Sequence, residues 1–251
     1  MDDLDLLIDF HLDAERQGPG GADATRLAVR LSGLAGRGAL HIADIGCGTG
    51  ASTRILARDL DAHVTAVDLF PAFLERLDAI AAREGLGDRI TTRAQSMDAL
   101  DFAPASLDAV WAEGAIYNMG FQAGAAAWSR FLKPGGVLAV SEITWLTEAR
   151  PADLEAHWRA QYAEIDTASA KMAVLERAGL SPVGYFVLPQ ACWTTNYYAP
   201  AQDRFEAFLD RHGRSRAAEA LVAAEREEIA LYARFNAYFG YGFYIARKPE
   251  A

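Results

Sequence analysis

Three groups of residues have spacing with chemical meaning. The first is Ala43-Asp44-Ile45-Gly46-Cys47-Gly48-Thr49-Gly50. An apolar run over 39–45 reads as a buried strand, glycines follow at alternate positions, and helical spacing begins at Ala51. A strand that turns through glycines into a helix brings bare backbone N–H groups close to a ligand. Asp44 puts a carboxylate where a dinucleotide site would hold pyrophosphate, which favours a ligand carrying an ammonium group. The second group is Asp68, at the end of His63-Val64-Thr65-Ala66-Val67. An acid at that strand tip accepts both hydroxyls of a ribose; the plainer reading is an N-cap for a helix opening at Pro71. The third group is Glu113 and Glu142, beyond the fourth and fifth apolar runs, with Tyr117 and Trp145 beside them. Acids among aromatic rings suit a cationic or amine ligand, whereas an acid that merely caps a helix or pairs with an arginine carries no chemistry.

These residues need elements to hold them. Apolar runs at 40–45, 63–67, 90–93, 107–111 and 136–141 predict strands, and helical spacing at 52–59, 71–83 and 120–131 separates them. Strands that are apolar nearly throughout, separated by helices, predict a parallel sheet buried on both faces. Helices are expected at 4–14 and 23–34 before the sheet, and at 152–163 and 167–178 after it. A strand at 183–188 follows. About fifty residues, 189–239, come before the last strand at 243–247; they read as an aromatic-rich loop and two helical stretches, 202–211 and 215–239. A long connection with its own helices is usually a lid or cap. The expected organisation is one domain over 1–251: an N-terminal helical lid at 1–36, a core at 37–188, a cap insert at 189–239 and a last strand at 240–251.

The 251 residues are 51% hydrophobic and 23% charged, enough for one large globular domain. A net charge of −10 gives no electrostatic footprint for nucleic acid or an anionic membrane. Cys47 and Cys192 are the two cysteines, no Cys/His spacing reads as a zinc site, and no metal is expected. That composition suits a reducing cytoplasm. The acidic start lacks the basic region of a signal peptide, and no run reaches the roughly 20 apolar residues of a membrane span. The expectation is a cytoplasmic protein, monomer or homodimer.

Dinucleotide enzymes space their glycines as G-x-G-x-x-G; Gly46-x-Gly48-x-Gly50 is different. The segments Asp44 to Gly50, Val67-Asp68, Ala94-Gln95-Ser96-Met97-Asp98, Ser106-Leu107-Asp108-Ala109-Val110 and Leu132-Lys133-Pro134-Gly135-Gly136 stand in one order. In that order they resemble the class I S-adenosylmethionine-dependent methyltransferases, closely over about 40–142. The remainder resembles a bacterial subgroup of small-molecule enzymes near the quinone-methylating ones. The resemblance implies a Rossmann-like α/β fold: a mostly parallel seven-stranded sheet with an antiparallel last strand, a helical N-terminal lid and a helical insert before the last strand.

The resemblance also implies site roles. Asp44 and the backbone of Gly46, Cys47, Gly48 and Gly50 would hold the methionine part of S-adenosylmethionine. Asp68 would take the ribose hydroxyls, Leu69 would pack on adenine, and Ser96 and Met97 would border it. Many relatives carry an acid where Ser96 stands, so the adenine amino group would fall to Asp98 or to backbone. Ala112 would face the sulfonium, and Gln17 would close over the cofactor. Methyl transfer from a sulfonium is an in-line displacement, so the protein mainly aligns the reactants and excludes water. A base is needed only for an acceptor that starts protonated; Glu113, Tyr117 and His11 are the candidates. Glu142, Trp145, Trp193 and Tyr197 are the candidate acceptor contacts. The expected activity is methyl transfer to a small molecule, with an amine as the favoured acceptor. The alternative is a protein that binds S-adenosylmethionine without transfer, as a sensor or assembly partner. A nucleic-acid amino-methylating enzyme would show Asn/Asp-Pro-Pro-aromatic where this chain has Ala112-Glu113-Gly114-Ala115. An aminopropyl transferase would leave Asp44 without an ammonium to meet.

Overall fold

The computed structural model describes residues 3–250. Its centre is a sheet of β1 (Leu40–Ile45), β2 (Ala62–Asp68), β3 (Ile90–Ala94), β4 (Leu107–Glu113), β5 (Leu132–Trp145), β6 (Asp166–Thr167), β7 (Ser181–Val187) and β8 (Phe239–Arg247). The order is β3-β2-β1-β4-β5-β8-β7, with β6 beside the end of β5. β1 to β5 pair in parallel, and β8 runs antiparallel to both β5 and β7. This is the expected sheet plus one two-residue strand, too short to show any periodicity.

Side-chain alternation divides the core in two. Ile42, Val64 and Trp111 face one side, where they meet Ala28 and Val29 of α2 (Ala22–Ser32), Leu56 of α3 (Ala51–Asp59) and Leu77 of α4 (Pro71–Arg83). Ala43, Val110 and Ala112 face the other, against Ala125 and Trp128 of α5 (Phe121–Ser129) and Leu175 of α7 (Ala168–Arg177). A short helix, α6 (Ala152–Gln161), follows β5.

A third cluster lies apart from the sheet. Leu6 and Phe10 of α1 (Asp3–Leu12) pack on Phe205, Phe208 and Leu209 of α9 (Ala199–Arg211) and on Ala218 and Val222 of α10 (Arg216–Phe235). The expected N-terminal lid is therefore divided: α1 joins the cap helices, and α2 joins the sheet. The expected aromatic loop ahead of α9 is also helical. α8 (Ala191–Trp193) runs through a wide π-type segment, Thr194–Tyr198, into α9. The wider turn changes the helical phase, and Trp193, Tyr197 and Tyr198 are buried there in the core cluster that also holds Tyr232. Aromatic rings without a clean 3.6-residue period read as a loop in the sequence because their burial comes from tertiary packing.

Candidate active site

The glycine loop after β1 lies at the carboxyl end of the sheet, beside the ends of β2 and β4. Gly48 has φ +54°, and a Cβ there would run into the carboxamide of Gln17. Gln17 rests on the loop accordingly. Its Oε1 accepts the Thr49 N–H at 3.0 Å, and its Nε2 donates to Thr49 Oγ1 at 3.0 Å and to the Ala14 carbonyl at 3.2 Å. Asp68 faces the same loop: Oδ2 accepts the Gly48 N–H at 2.8 Å, and Oδ1 accepts the Phe70 N–H at 3.0 Å. Each oxygen keeps acceptor capacity to spare. Burial pushes the Asp68 carboxyl up, and those two amides pull it back.

Asp44 lies behind the loop and is fully buried. Its Oδ2 accepts the hydroxyls of Ser52 at 2.8 Å and Thr53 at 2.6 Å, both in the first turn of α3. Its Oδ1 is buried with no partner. Burial raises its carboxyl to about 7, and the charge of Glu113 adds to the rise. Cys47, also buried, has its thiol held up by burial and by the charges of Asp44 and Asp68.

A cleft of about 650 Å³ opens over these groups. Gln17, Gly46, Cys47, Gly48, Asp68, Leu69, Ser96, Met97, Glu113 and Tyr117 line it, all singled out in the sequence. Ser96 donates its hydroxyl to Asp98 Oδ1 at 2.6 Å, so these two polar groups of the far wall act together. Asp44 and Gly50 are not on the wall. Asp44 sits beneath Ser52, which is, and Gly50 leaves room for Leu77 of α4.

Several expected positions lie elsewhere. Ala112 was read as the first residue past the fourth strand, but β4 runs on to Glu113, and Ala112 is buried in the α5-side core. Gly114 and Ala115 take the place on the cleft wall. Glu142 is buried inside β5 and meets Lys171 Nζ at 3.0 Å, so it does not line the cleft. Trp145 is buried under the Arg150 guanidinium, 4.4 Å from its ring centre. Trp193 stacks on Tyr232 with ring centres 4.5 Å apart, and Tyr197 is buried next to Tyr198. His11 is buried against Phe10 and Tyr197, and burial drops it to about 4, the Arg204 charge helping. It is a neutral ring away from the cleft.

Glu113 does reach the cleft, but as an anchor. Its Oε2 accepts Arg16 Nη1 at 2.6 Å, and its Oε1 accepts the Thr25 hydroxyl at 2.7 Å and the Trp111 Nε1–H at 2.9 Å. Three donors fix the carboxylate between the segment after α1, α2 and β4. Arg16 and Thr25 were missed in the sequence because a buried polar contact between distant segments leaves no local spacing, while Trp111, two residues before Glu113 on β4, reads only as part of an apolar strand.

The fold agrees with comparisons to known proteins. A family model described as a methyltransferase domain matches residues 42–136. The chain is 29% identical over 244 residues to the 27-O-demethylrifamycin SV methyltransferase of Amycolatopsis mediterranei, covering 90% of this chain and 84% of that one. It is 33% identical over 135 residues to the malonyl-[acyl-carrier protein] O-methyltransferase of Dechloromonas aromatica, about half of each chain (51% and 48%). A solved S-adenosylmethionine-dependent methyltransferase from Geobacter sulfurreducens superposes with a TM-score of 0.84, covering 96% of this chain and 97% of that one at 18% identity. The chain thus resembles a methyltransferase domain over residues 42–136 and shares the fold of the solved S-adenosylmethionine-dependent enzyme. The glycine loop touches both Asp68 and Gln17, and the cleft they bound extends past Gly114 to Tyr117. Among the described residues no group of three or more His, Cys, Asp and Glu side chains is placed to hold a metal, and no helix is long and apolar enough to cross a membrane.

Proposed function

We propose that this protein transfers a methyl group from S-adenosylmethionine to a small-molecule acceptor that enters between the cleft and the cap. The observation that carries this reading is the buried, unpartnered Asp44 Oδ1 behind a cleft whose wall holds the Asp68 carboxylate. A ligand with an ammonium group at one end and a ribose diol in the middle supplies a charge for the first and donors for the second. Leu69 and Met97 offer apolar surface for a purine, and Ser96 with Asp98 offers polar atoms at its edge. Gln17 closes the loop side.

S-Adenosylmethionine supplies a methyl group already activated on a sulfonium. The S–CH₃ bond breaks as the bond from methyl to acceptor forms, S-adenosylhomocysteine leaves, and any acceptor proton passes to solvent or a base. The protein's work is then alignment and exclusion of water. Gly114, Ala115 and Tyr117 stand on the cleft wall just beyond β4 and would border the reacting atoms. Glu113 holds the wall in place, and we assign it no proton transfer. The relative named 27-O-demethylrifamycin SV methyltransferase supports a small organic acceptor.

Incubation with methyl-labelled S-adenosylmethionine and a metabolite extract tests the reading. A labelled small-molecule product is expected, while cofactor binding without turnover across broad panels would favour a non-catalytic binder.

A further inference from the structure

One group of the cofactor still lacks a partner. S-Adenosylmethionine carries an ammonium, a carboxylate, a ribose diol and an adenine. Asp44, Asp68 and the wall at Leu69, Ser96 and Met97 answer all but the carboxylate. That group would enter a cleft rich in acids: Asp68, Asp98 and Glu113 stand on the wall, and Asp44 is buried behind it. A carboxylate taken out of water needs a countercharge or several donors. Arg16 is the one lysine or arginine among the described residues that line the cleft.

The Arg16 side chain is held rather than loose, at 10% exposure. Nη1 donates to Glu113 Oε2 at 2.6 Å, and Nη2 donates to Thr25 Oγ1 at 3.2 Å. Gly20 makes room for the group, because a Cβ there would lie 2.7 Å from Nη1. A guanidinium has five N–H donors, so these bonds leave donors over. Glu113 is also held by Thr25 and Trp111, so its charge is not spent on Arg16 alone. A guanidinium fixed by one carboxylate can take a second on its remaining edge.

Both chain neighbours of this pair touch the glycine loop. Gln17, next to Arg16, covers Gly48 and accepts the Thr49 N–H at 3.0 Å. Ala115, two residues past Glu113, has its Cβ in the space that a Cβ on Gly46 would need. The pair therefore stands at the loop that runs in front of Asp44, where the amino-acid end of the cofactor would lie. We propose that Arg16 binds the carboxylate of S-adenosylmethionine, oriented for it by Glu113 and Thr25, and so makes the cleft select the amino-acid cofactor over its decarboxylated form. Asp44 and Arg16 then take the two charges of one zwitterion, and Glu113 acts on the cofactor only through Arg16. This assignment rests on the methyl-transfer reading above.

Calorimetry on the full chain with two probes tests it: S-adenosylhomocysteine, and its decarboxylated form, which keeps the ammonium and lacks only the carboxylate. The wild-type protein should bind the first about tenfold or more tighter. Arg16→Met should bring the two affinities within about threefold, by weakening S-adenosylhomocysteine and leaving the decarboxylated probe unchanged. An Arg16 that only supports the fold would weaken both probes alike, and that result overturns the assignment. Equal binding of the two probes by the wild-type protein overturns it too, as does a preference that survives Arg16→Met. Those outcomes leave methyl transfer standing, whereas failure of S-adenosylhomocysteine to bind the wild-type protein overturns both readings. Arg16→Met strands the Glu113 charge; if that variant does not fold, Arg16→Met/Glu113→Gln removes both charges and must show the same loss of preference.

Discussion

The carboxamide of Gln17 occupies the space that a side chain on Gly48 would need, while its oxygen accepts the neighbouring Thr49 N–H at 3.0 Å. The loop and the segment after α1 are thus built for each other. Gly48→Ala meets two obstacles, a collision with Gln17 and a backbone at φ +54° that a side chain disfavours. The variant should lose roughly 1–3 kcal/mol of stability. Calorimetry should show S-adenosylhomocysteine affinity down by about tenfold or more. Gln17→Ala in the same background should recover part of the stability, and its failure to do so would show that the contact is not the cause.

Asp68 should be the strongest side-chain contributor to cofactor affinity. Both of its oxygens already accept one backbone N–H, and their remaining capacity faces the cleft. Asp68→Ala removes the acceptor for two ribose hydroxyls, a loss on the order of 2–4 kcal/mol in binding. Binding titrations with S-adenosylhomocysteine measure it directly; an affinity within a factor of two of wild type sinks the ribose assignment.

Asp44 makes the cofactor-free protein sensitive to pH. Its carboxyl is raised from 3.8 to about 7, so the folded state holds the proton more tightly than the unfolded one. The stability this contributes is complete below about pH 4 and is lost as pH rises through about 7. The displacement corresponds to at most about 4 kcal/mol. Glu225, also raised to about 7, slopes the same way. Thermal midpoints of the cofactor-free protein should therefore fall from about pH 5 to about pH 8, and Asp44→Asn should flatten part of the fall. An ammonium group meeting Oδ1 would favour the ionised acid, so S-adenosylhomocysteine should stabilise more at the upper end. A slope indifferent to Asp44→Asn would remove Asp44 from this account.

Much of the sheet was legible because its information is local. The predicted limits of β1 and α4 coincide with the observed ones, where apolar runs are bounded by Gly46 on one side and by Pro71 on the other. The cleft wall from Gly46 to Met97 was legible through the family resemblance, whose motifs stand at strand ends in one order. The acceptor side was not. Glu113 and Glu142 looked available because their partners, Arg16 and Lys171, are 97 and 29 residues away. Glu225 and Glu228 drew no reading in the sequence, although they share the helix stripe of Val222 and Tyr232.

The Glu142–Lys171 pair separates a structural role from a binding one. The two groups meet at 3.0 Å with almost no exposure, and Lys171 Nζ also lies over the rings of Phe121 at 4.5 Å and Tyr162 at 5.0 Å. Burial pushes the glutamate up and the lysine down, and each charge opposes the shift of the other. Removing one partner strands a charge between β5 and α7. Lys171→Met should therefore cost about 3–5 kcal/mol in chemical denaturation. Glu142→Gln together with Lys171→Met removes both charges and should restore most of that loss, since no charge is then left buried without its partner. An acceptor-binding Glu142 predicts the reverse pattern: Glu142→Gln alone would keep the protein stable and raise KM for the acceptor. Denaturation curves of the single and double variants, set beside their turnover, tell the two apart.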